Sequence, residues 1–212
     1  MIAKEGLKII LLSFIVCFVI SIWNIFTDSL FAVIFLLLSL IVFLFVLYFF
    51  RDPYRSIPSQ TDAILSPADG KVISIRDEND SFVGSAQMIS IFMSLFDVHA
   101  TRIPFSGTVK DIRYREGSFK AAFNESASEE NERNRISLEA ESLKLVFTQV
   151  AGLVARRIVS YLKVGDRVTT GERCGMIMFG SRVDLIVPDN VELKVKVGDR
   201  VRAGESIIGE VK

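Results

Sequence analysis

Two long uncharged apolar runs at the start of the chain constrain what the rest can be. Ile9–Phe26 contains only Ser13, Ser21 and Asn24 as clearly polar positions, and Leu30–Phe50 is interrupted only by Ser39. A helix needs about 20 apolar residues to cross the hydrocarbon core, so the second run is long enough and the first is marginal. Thr27-Asp28-Ser29 between them is short and polar, as a tight helical hairpin requires. Trp23 and Tyr48 fall near the ends, where amphipathic rings favour the interface. The pattern predicts a membrane hairpin over residues 1–50, with helices at about 9–26 and 30–50, followed by a separate domain over 51–212. Lys4 and Lys8 precede the first span, and Arg51 and Arg55 follow the second. The positive-inside rule then puts both flanks and the domain on the cytoplasmic side of the cell membrane. A cleaved signal peptide fits less well, since no small-x-small site follows and a second span comes directly after. A re-entrant hairpin stays open because the first run is short.

Residues 1–50 hold only Lys4, Glu5, Lys8 and Asp28 as charges, so nearly all of the 25 basic and 25 acidic side chains lie in the remainder. That even balance excludes a strongly basic nucleic-acid binder, and a 50% hydrophobic content excludes a disordered chain. Cys17 sits inside the first apolar run and Cys174 far away, which suggests neither a disulfide framework nor a metal site. Beyond the Pro53–Pro58 linker, short β-rich runs are separated by glycine turns: Lys71–Ile75, Met88–Met93, Thr108–Tyr114, Leu143–Val150, Leu185–Val187 and Val191–Val195. Phe119–Arg135 is polar and reads as a long loop. Gly152–Val159 fits either a strand or a short helix.

One repeat is visible. Lys163-Val164-Gly165-Asp166-Arg167-Val168, then Gly171-Glu172, recurs as Lys196-Val197-Gly198-Asp199-Arg200-Val201, then Gly204-Glu205. Each copy fits a strand entering a Gly-Asp turn and leaving through a second glycine turn. The expected fold is mainly β (α+β): a pseudo-symmetric, short-stranded sandwich or hammerhead-like domain with small helical additions, behind the helical hairpin.

Three features could carry chemistry. His99 is the only histidine; it follows an apolar strand and excludes multi-histidine metal sites. Ser66-Pro67-Ala68-Asp69-Gly70 precedes a strand and by itself reads as a turn. Phe179-Gly180-Ser181-Arg182 follows the apolar Met176–Phe179 segment. A serine hydroxyl held against a preceding glycine carbonyl can convert the amide to an ester, and glycine leaves the approach unblocked.

Those segments, with Phe96-Asp97-Val98-His99, Ala127–Asn134, Ala151–Arg157 and Met178–Asp184, come in an order that resembles the short prokaryotic type of phosphatidylserine decarboxylase proenzyme, over roughly Arg51 to Lys212. The resemblance implies a self-processing lyase that forms phosphatidylethanolamine and CO2 in phospholipid biosynthesis. Ser181 would attack Gly180, and cleavage would leave 1–180 (β subunit) and 181–212 (α subunit), associated with each other. Position 181 would become a pyruvoyl cofactor, which condenses with the substrate amine and accepts the electrons released with CO2. It also implies a phospholipid substrate at a membrane, His99 as proton donor, and Asp69 as the processing-site aspartate. No metal is implied. The longer bacterial enzymes carry a second histidine three residues on; here Arg102 stands there. Arg102 could bind the substrate phosphate or carboxylate, or form an ordinary surface ion pair. The base for self-cleavage, acyl or ether-lipid preference and homo-oligomerisation are left open.

Rival readings fit less well. The same chemistry on an archaeal-type ether lipid with a serine headgroup stays open. A non-catalytic lipoyl-like adaptor would share the glycine turns but needs a lysine at the tip between them. A serine hydrolase lacks its Gly-x-Ser-x-Gly elbow, because Arg182-Val183 follow the serine.

Overall fold

The computed structural model describes residues 1–27, 29–117, 131–152, 157–178 and 180–211, in two compact units, Met1–Tyr54 and Arg55–Lys212. In the first unit, a 3₁₀ turn at Lys4–Gly6 leads into α1 (Leu7–Ile25), and α2 (Leu30–Phe49) follows. Both helices are long and apolar enough to cross a membrane. The serines along them satisfy themselves: the hydroxyls of Ser13, Ser21 and Ser39 donate to carbonyls three or four residues back. The unit is closed at one end. Ala3 N–H donates to Phe50 O at 2.8 Å, and Asp52 N–H to Met1 O at 2.8 Å. Gly6 is required there, because a Cβ would fall 2.2 Å from the Phe50 ring. Phe14 of α1 and Phe43 of α2 meet at 5.8 Å between ring centres.

The second unit is all strand and turn among its described residues, so the expected small helical additions do not occur there. Its strands are β1 (Ala63–Leu65), β2 (Gly70–Asp80), β3 (Gly84–Met93), β4 (Ala100–Arg102), β5 (Gly107–Arg115), β6 (Arg133–Glu139), β7 (Lys144–Ala151), β8 (Ile158–Ser160), β9 (Arg167–Val168), β10 (Arg173–Ile177), β11 (Ser181–Pro188), β12 (Val191–Leu193), β13 (Arg200–Val201) and β14 (Ile207–Val211). Eight form one curled sheet in the order β13-β2-β3-β11-β7-β6-β5-β9. Two three-stranded sheets, β1-β14-β12 and β4-β10-β8, complete the unit. The inner face of the large sheet carries Val72, Ile89, Ile91, Ile136, Phe147, Val183 and Leu185, all fully buried. The period-two alternation within these strands puts their polar partners on the other face.

The repeat found in the sequence becomes a pseudo-twofold. Gly165 N–H donates to Val109 O, and Val109 N–H to Asp166 O; Gly198 and Asp199 do the same with Val72. Asp166 and Asp199 each cap the turn by accepting from the amide three residues earlier. The short strands β9 and β13 therefore close opposite edges of the large sheet, against β5 and β2.

Two boundaries differ from the sequence reading. Arg133–Glu139 is a strand, so the end of the expected 119–135 loop is ordered by pairing with β5 and β7; residues 118–130 lie outside the described residues. Alternating Arg133, Asn134 and Arg135 suit a strand with one charged and one buried face, a pattern hidden by its overall polarity. Of Gly152–Val159, positions 153–156 lie outside the described residues, and its end joins β8.

Phe147 is fully buried at the middle of β7. Phe147→Ala is expected to destabilise the second unit by about 3–5 kcal/mol, read as a lower melting temperature of the detergent-solubilised chain by circular dichroism.

Candidate active site

Two strand pairs leave the large sheet together. β3 and β11 are neighbours in the eight-stranded sheet, whereas their chain neighbours β4 and β10 pair in a three-stranded one. His99 stands just before β4 and Gly180 just before β11, at the points where the chain changes sheet. The chain is held on both sides. Ile177 N–H donates to His99 O at 3.1 Å before the switch, and Ser181 pairs with Met93 and Ala151 after it.

Ser181 opens β11 and is fully buried, on the same face as Val183 and Leu185. Its hydroxyl donates to Met93 Sδ at 3.3 Å. A thioether is a weak acceptor, so this contact positions the hydroxyl without tying it up. Gly180 has φ +53°, in the left-handed region, and a Cβ there would meet nothing within 4 Å. The demand at 180 is therefore conformational rather than steric. Phe179 lies outside the described residues.

His99 is fully buried. Its Nδ1 lies 3.0 Å from Asp97 O. A carbonyl only accepts, so Nδ1 carries the hydrogen, and in the neutral ring the lone pair is on Nε2. Asp97 is itself fixed, since its carboxylate accepts from Ser94 N–H at 2.8 Å and from the Ser94 hydroxyl at 2.6 Å. Leu95 and Phe96, at the tip of this turn, are exposed.

Asp69 lies in the turn between β1 and β2. Its carboxylate accepts from Arg55 Nη2 at 2.9 Å on both oxygens and from Ala203 N–H at 2.8 Å. Burial raises its pKa above the ordinary 3.8; the Ala203 amide and Arg55 oppose the shift, and the charge of Asp97 adds to it. The folded state thus holds this proton more tightly than the unfolded chain does. That stabilisation is complete below pH 3.8 and is lost as pH rises through the raised value. Gly70, next in sequence, lets β2 approach β3: a Cβ there would fall 2.1 Å from Phe92 O. Arg55, counted from the sequence among the membrane-flanking cations, also forms this ion pair.

Arg102 sits at the end of β4. Its Nη1 donates to Gly171 O at 3.0 Å, and its own N–H donates to Pro67 O at 2.9 Å. A Cβ at Gly204 would lie 2.9 Å from Arg102 Cδ and 3.5 Å from Gly171 Cα. Arg102 therefore packs where the two repeated turns meet.

Several residues around Ser181 went unnoticed as individual candidates. Asn134 Nδ2 donates to Gln149 Oε1 at 3.0 Å, and Gln149 Nε2 to Thr101 Oγ1 at 2.8 Å. This buried chain ties β6 and β7 to β4, the strand that follows His99. Asn131 Nδ2 donates to Ala151 O at 2.7 Å, and Ala151 N–H to Glu132 O at 2.9 Å, so both polar groups of Ser181's cross-strand partner are held. A buried amide in the apolar Leu143–Val150 run was the available signal for Gln149. Cys174 joins this cluster, 3.5 Å from Thr101 Oγ1. Among the described residues no group of acidic, histidine and cysteine side chains could hold a metal ion.

Burial pushes the Cys174 thiol from 9.0 up to about 12. In a Cys17→Ala background, Cys174 is expected to resist iodoacetamide at pH 8 in the folded chain and to react promptly in denaturant. Rapid alkylation of folded protein, read by intact mass, would contradict this burial.

A family model described as phosphatidylserine decarboxylase matches residues 42–209. A phosphatidylserine decarboxylase proenzyme of Chlorobium limicola is 49% identical over 174 residues, covering 82% of each chain. One from Geotalea uraniireducens is 50% identical over 172 residues, covering 80% of this chain and 81% of the relative. A third, from Chlorobaculum tepidum, is 43% identical over 210 residues, covering 99% of this chain and 97% of its own, apolar helices included.

Proposed function

The chain belongs to the phosphatidylserine decarboxylase family, a family of proenzymes, and from that premise we propose how its own residues mature and then act. The proposed substrate is phosphatidylserine and the products are phosphatidylethanolamine and CO2. The observation that carries the reading is a Gly-Ser bond at the head of a buried central strand, with the glycine left-handed and the chain anchored on both sides.

In the proposed maturation, Ser181 Oγ attacks the Gly180 carbonyl, and the amide becomes an ester with a free amine at 181. Loss of the Cα proton of 181 then breaks the Cβ–O bond, releasing Gly180 as a carboxylate. Water replaces the nitrogen of the resulting dehydroalanine, and ammonia leaves. The left-handed backbone at Gly180 supports the first step, since no Cβ screens its carbonyl. The lone pair of His99 Nε2 suits it to take a proton, while Asp97 O keeps the ring in that tautomer. Asp69, raised by burial yet paired with Arg55, would hold the β1–β2 turn and bias nearby charge.

The site fits a pyruvoyl group, because residues 181–211 stay woven into all but one of the sheets after a cut. β11 keeps its partners β3 and β7, β13 keeps β2, and β14 keeps β1. Such a group supplies an electron sink for the bond to CO2 once the substrate amine has bound it. His99, as its imidazolium, would then return a proton to the carbon that lost CO2. The exposed Leu95–Phe96 tip beside His99 suits an acyl-bearing substrate. Arg102 would act by holding the repeated turns and thereby the strand after His99. Lys4, Lys8 and Arg51 at the closed end of the helical unit support a cytoplasmic placement.

Denaturing mass spectrometry of the purified chain is expected to give fragments split between Gly180 and Ser181, the smaller lacking an N-terminal amine. Ser181→Ala should remain intact and decarboxylate nothing, and His99→Ala should lose at least about 100-fold in turnover. A Ser181→Ala protein that still releases CO2 from phosphatidylserine would sink the mechanism.

A further inference from the structure

The linker that follows the apolar helices is tied down where the second unit begins. Arg55 is the first residue of that unit, and its side chain is only 5% exposed. Its Nη2 donates to both Asp69 oxygens at 2.9 Å, and its Nη1 meets Glu205 at 3.5 Å. Ser56 N–H donates to Glu205 Oε1 at 3.0 Å. Ile57 packs on Gly171, where a Cβ would fall 2.7 Å from the isoleucine side chain. Three successive residues therefore strap the Asp69 turn to both of the repeated glycine turns.

The Asp69 turn in turn touches the chain around Ser181 and His99. Gly70 lies against Phe92 O, and Met93, next along β3, accepts from the Ser181 hydroxyl through its Sδ. Pro67 O accepts from the N–H of Arg102, on the strand that follows His99. A carboxylate so placed acts through its charge and its position, and both depend on what faces it. Arg55 faces Asp69 from the linker, Ala203 N–H from the second repeated turn, and Asp97 from the turn before β4. Arg55 is shared with Glu205, which Arg202 also meets at 3.8 Å, and Asp97 is paired with Arg200 at 3.3 Å. Among the described residues, Arg55 is the one cation in direct contact with Asp69.

We propose that Arg55 is a positioning residue for self-cleavage: held by the strap, it keeps the Asp69 carboxylate ionised and fixed in its turn beside β3, and maturation slows when the linker cannot supply it. The inference rests on the proposed place of Asp69 in maturation. A guanidinium suits the task better than an ammonium, because its planar fork is weakly hydrated and pre-organised for a carboxylate. Burial and the charge of Asp97 favour the protonated acid, and the Ala203 amide and Arg55 oppose them. Without Arg55, the acid would ionise only at higher pH.

The first measurement uses the full chain carrying Ser181→Ala in detergent, where no cut should intervene. It follows the Asp69 carboxyl by infrared difference titration, with the band assigned by its loss in Asp69→Asn. Adding Arg55→Gln should move that titration up by about one pH unit or more, and Arg55→Lys by less. Glu205→Gln, which leaves Arg55 to a single carboxylate, should move it in the opposite direction. The second measurement restores Ser181 and follows cleavage by mass after cell-free synthesis. At about pH 6, Arg55→Gln should cut about tenfold more slowly than wild type, approaching it as pH rises, with Arg55→Lys recovering most of the rate. An unmoved titration, or cleavage slowed equally at every pH and not recovered by lysine, would overturn the proposal and leave Arg55 a structural ion pair. If Arg55→Gln does not fold, Glu205→Gln carries the test, and a titration unmoved there is the overturning result. Asp69→Asn cutting as fast as wild type would overturn the earlier reading of Asp69, and this proposal with it.

Discussion

The antiparallel register that clasps β11 between β3 and β7 is the constraint on which the site depends. It fixes Ser181 opposite Met93 on one side and Ala151 on the other. Because side chains alternate with period two, a slip of one residue would send Ser181 outward and bury Arg182 among the core residues. Every inward position of β11, from Ser181 to Val187, is buried, so the hydrophobic effect itself enforces the register. Asn131 and Glu132 add local control by holding both the carbonyl and the amide of Ala151. The geometry at the strand's head is thus inherited from packing along its whole length.

A second level of order comes from the pseudo-twofold. The strand order of the large sheet reads alike from either edge, with β2 and β5, then β3 and β6, then β11 and β7 in matching places. Within this arrangement the repeated turns converge, and Arg102 sits where Gly171 and Gly204 approach. The two halves are not chemically equivalent. Only β11 begins with a serine preceded by a left-handed glycine; the matching strand β7 begins at Lys144, after the Ser142-Leu143 turn.

Much of this was legible in the residues. The apolar runs gave two helices because length and uncharged composition leave few alternatives, and the Val-Gly-Asp turns gave the pseudo-symmetry because glycine and aspartate have definite roles there. The start of β11 was not legible. Gly180-Ser181 looks like a turn from its composition, and only pairing with distant strands makes Ser181 the first residue of a strand. Arg55 shows a similar limit: sequence proximity to the apolar run makes it a flanking charge, and only the fold brings Asp69 to it. The polar chain Asn134–Gln149–Thr101 spans three strands, and no local pattern announces such a network.

Weaving of residues 181–211 through the sheets has a thermodynamic corollary. In an uncut chain, folding is unimolecular, and the described segments on either side of position 180 find each other at the effective concentration of a tether. A cut at that position removes the tether while leaving the pairing of β11 beyond residue 181, and that of β13 and β14, in place, so the folded state changes little. The unfolded state gains the freedom of two separate pieces, and refolding becomes second order in protein. Maturation would therefore exchange an equilibrium property for a kinetic one, with the assembled chains persisting because the barrier to unzipping a central strand is high.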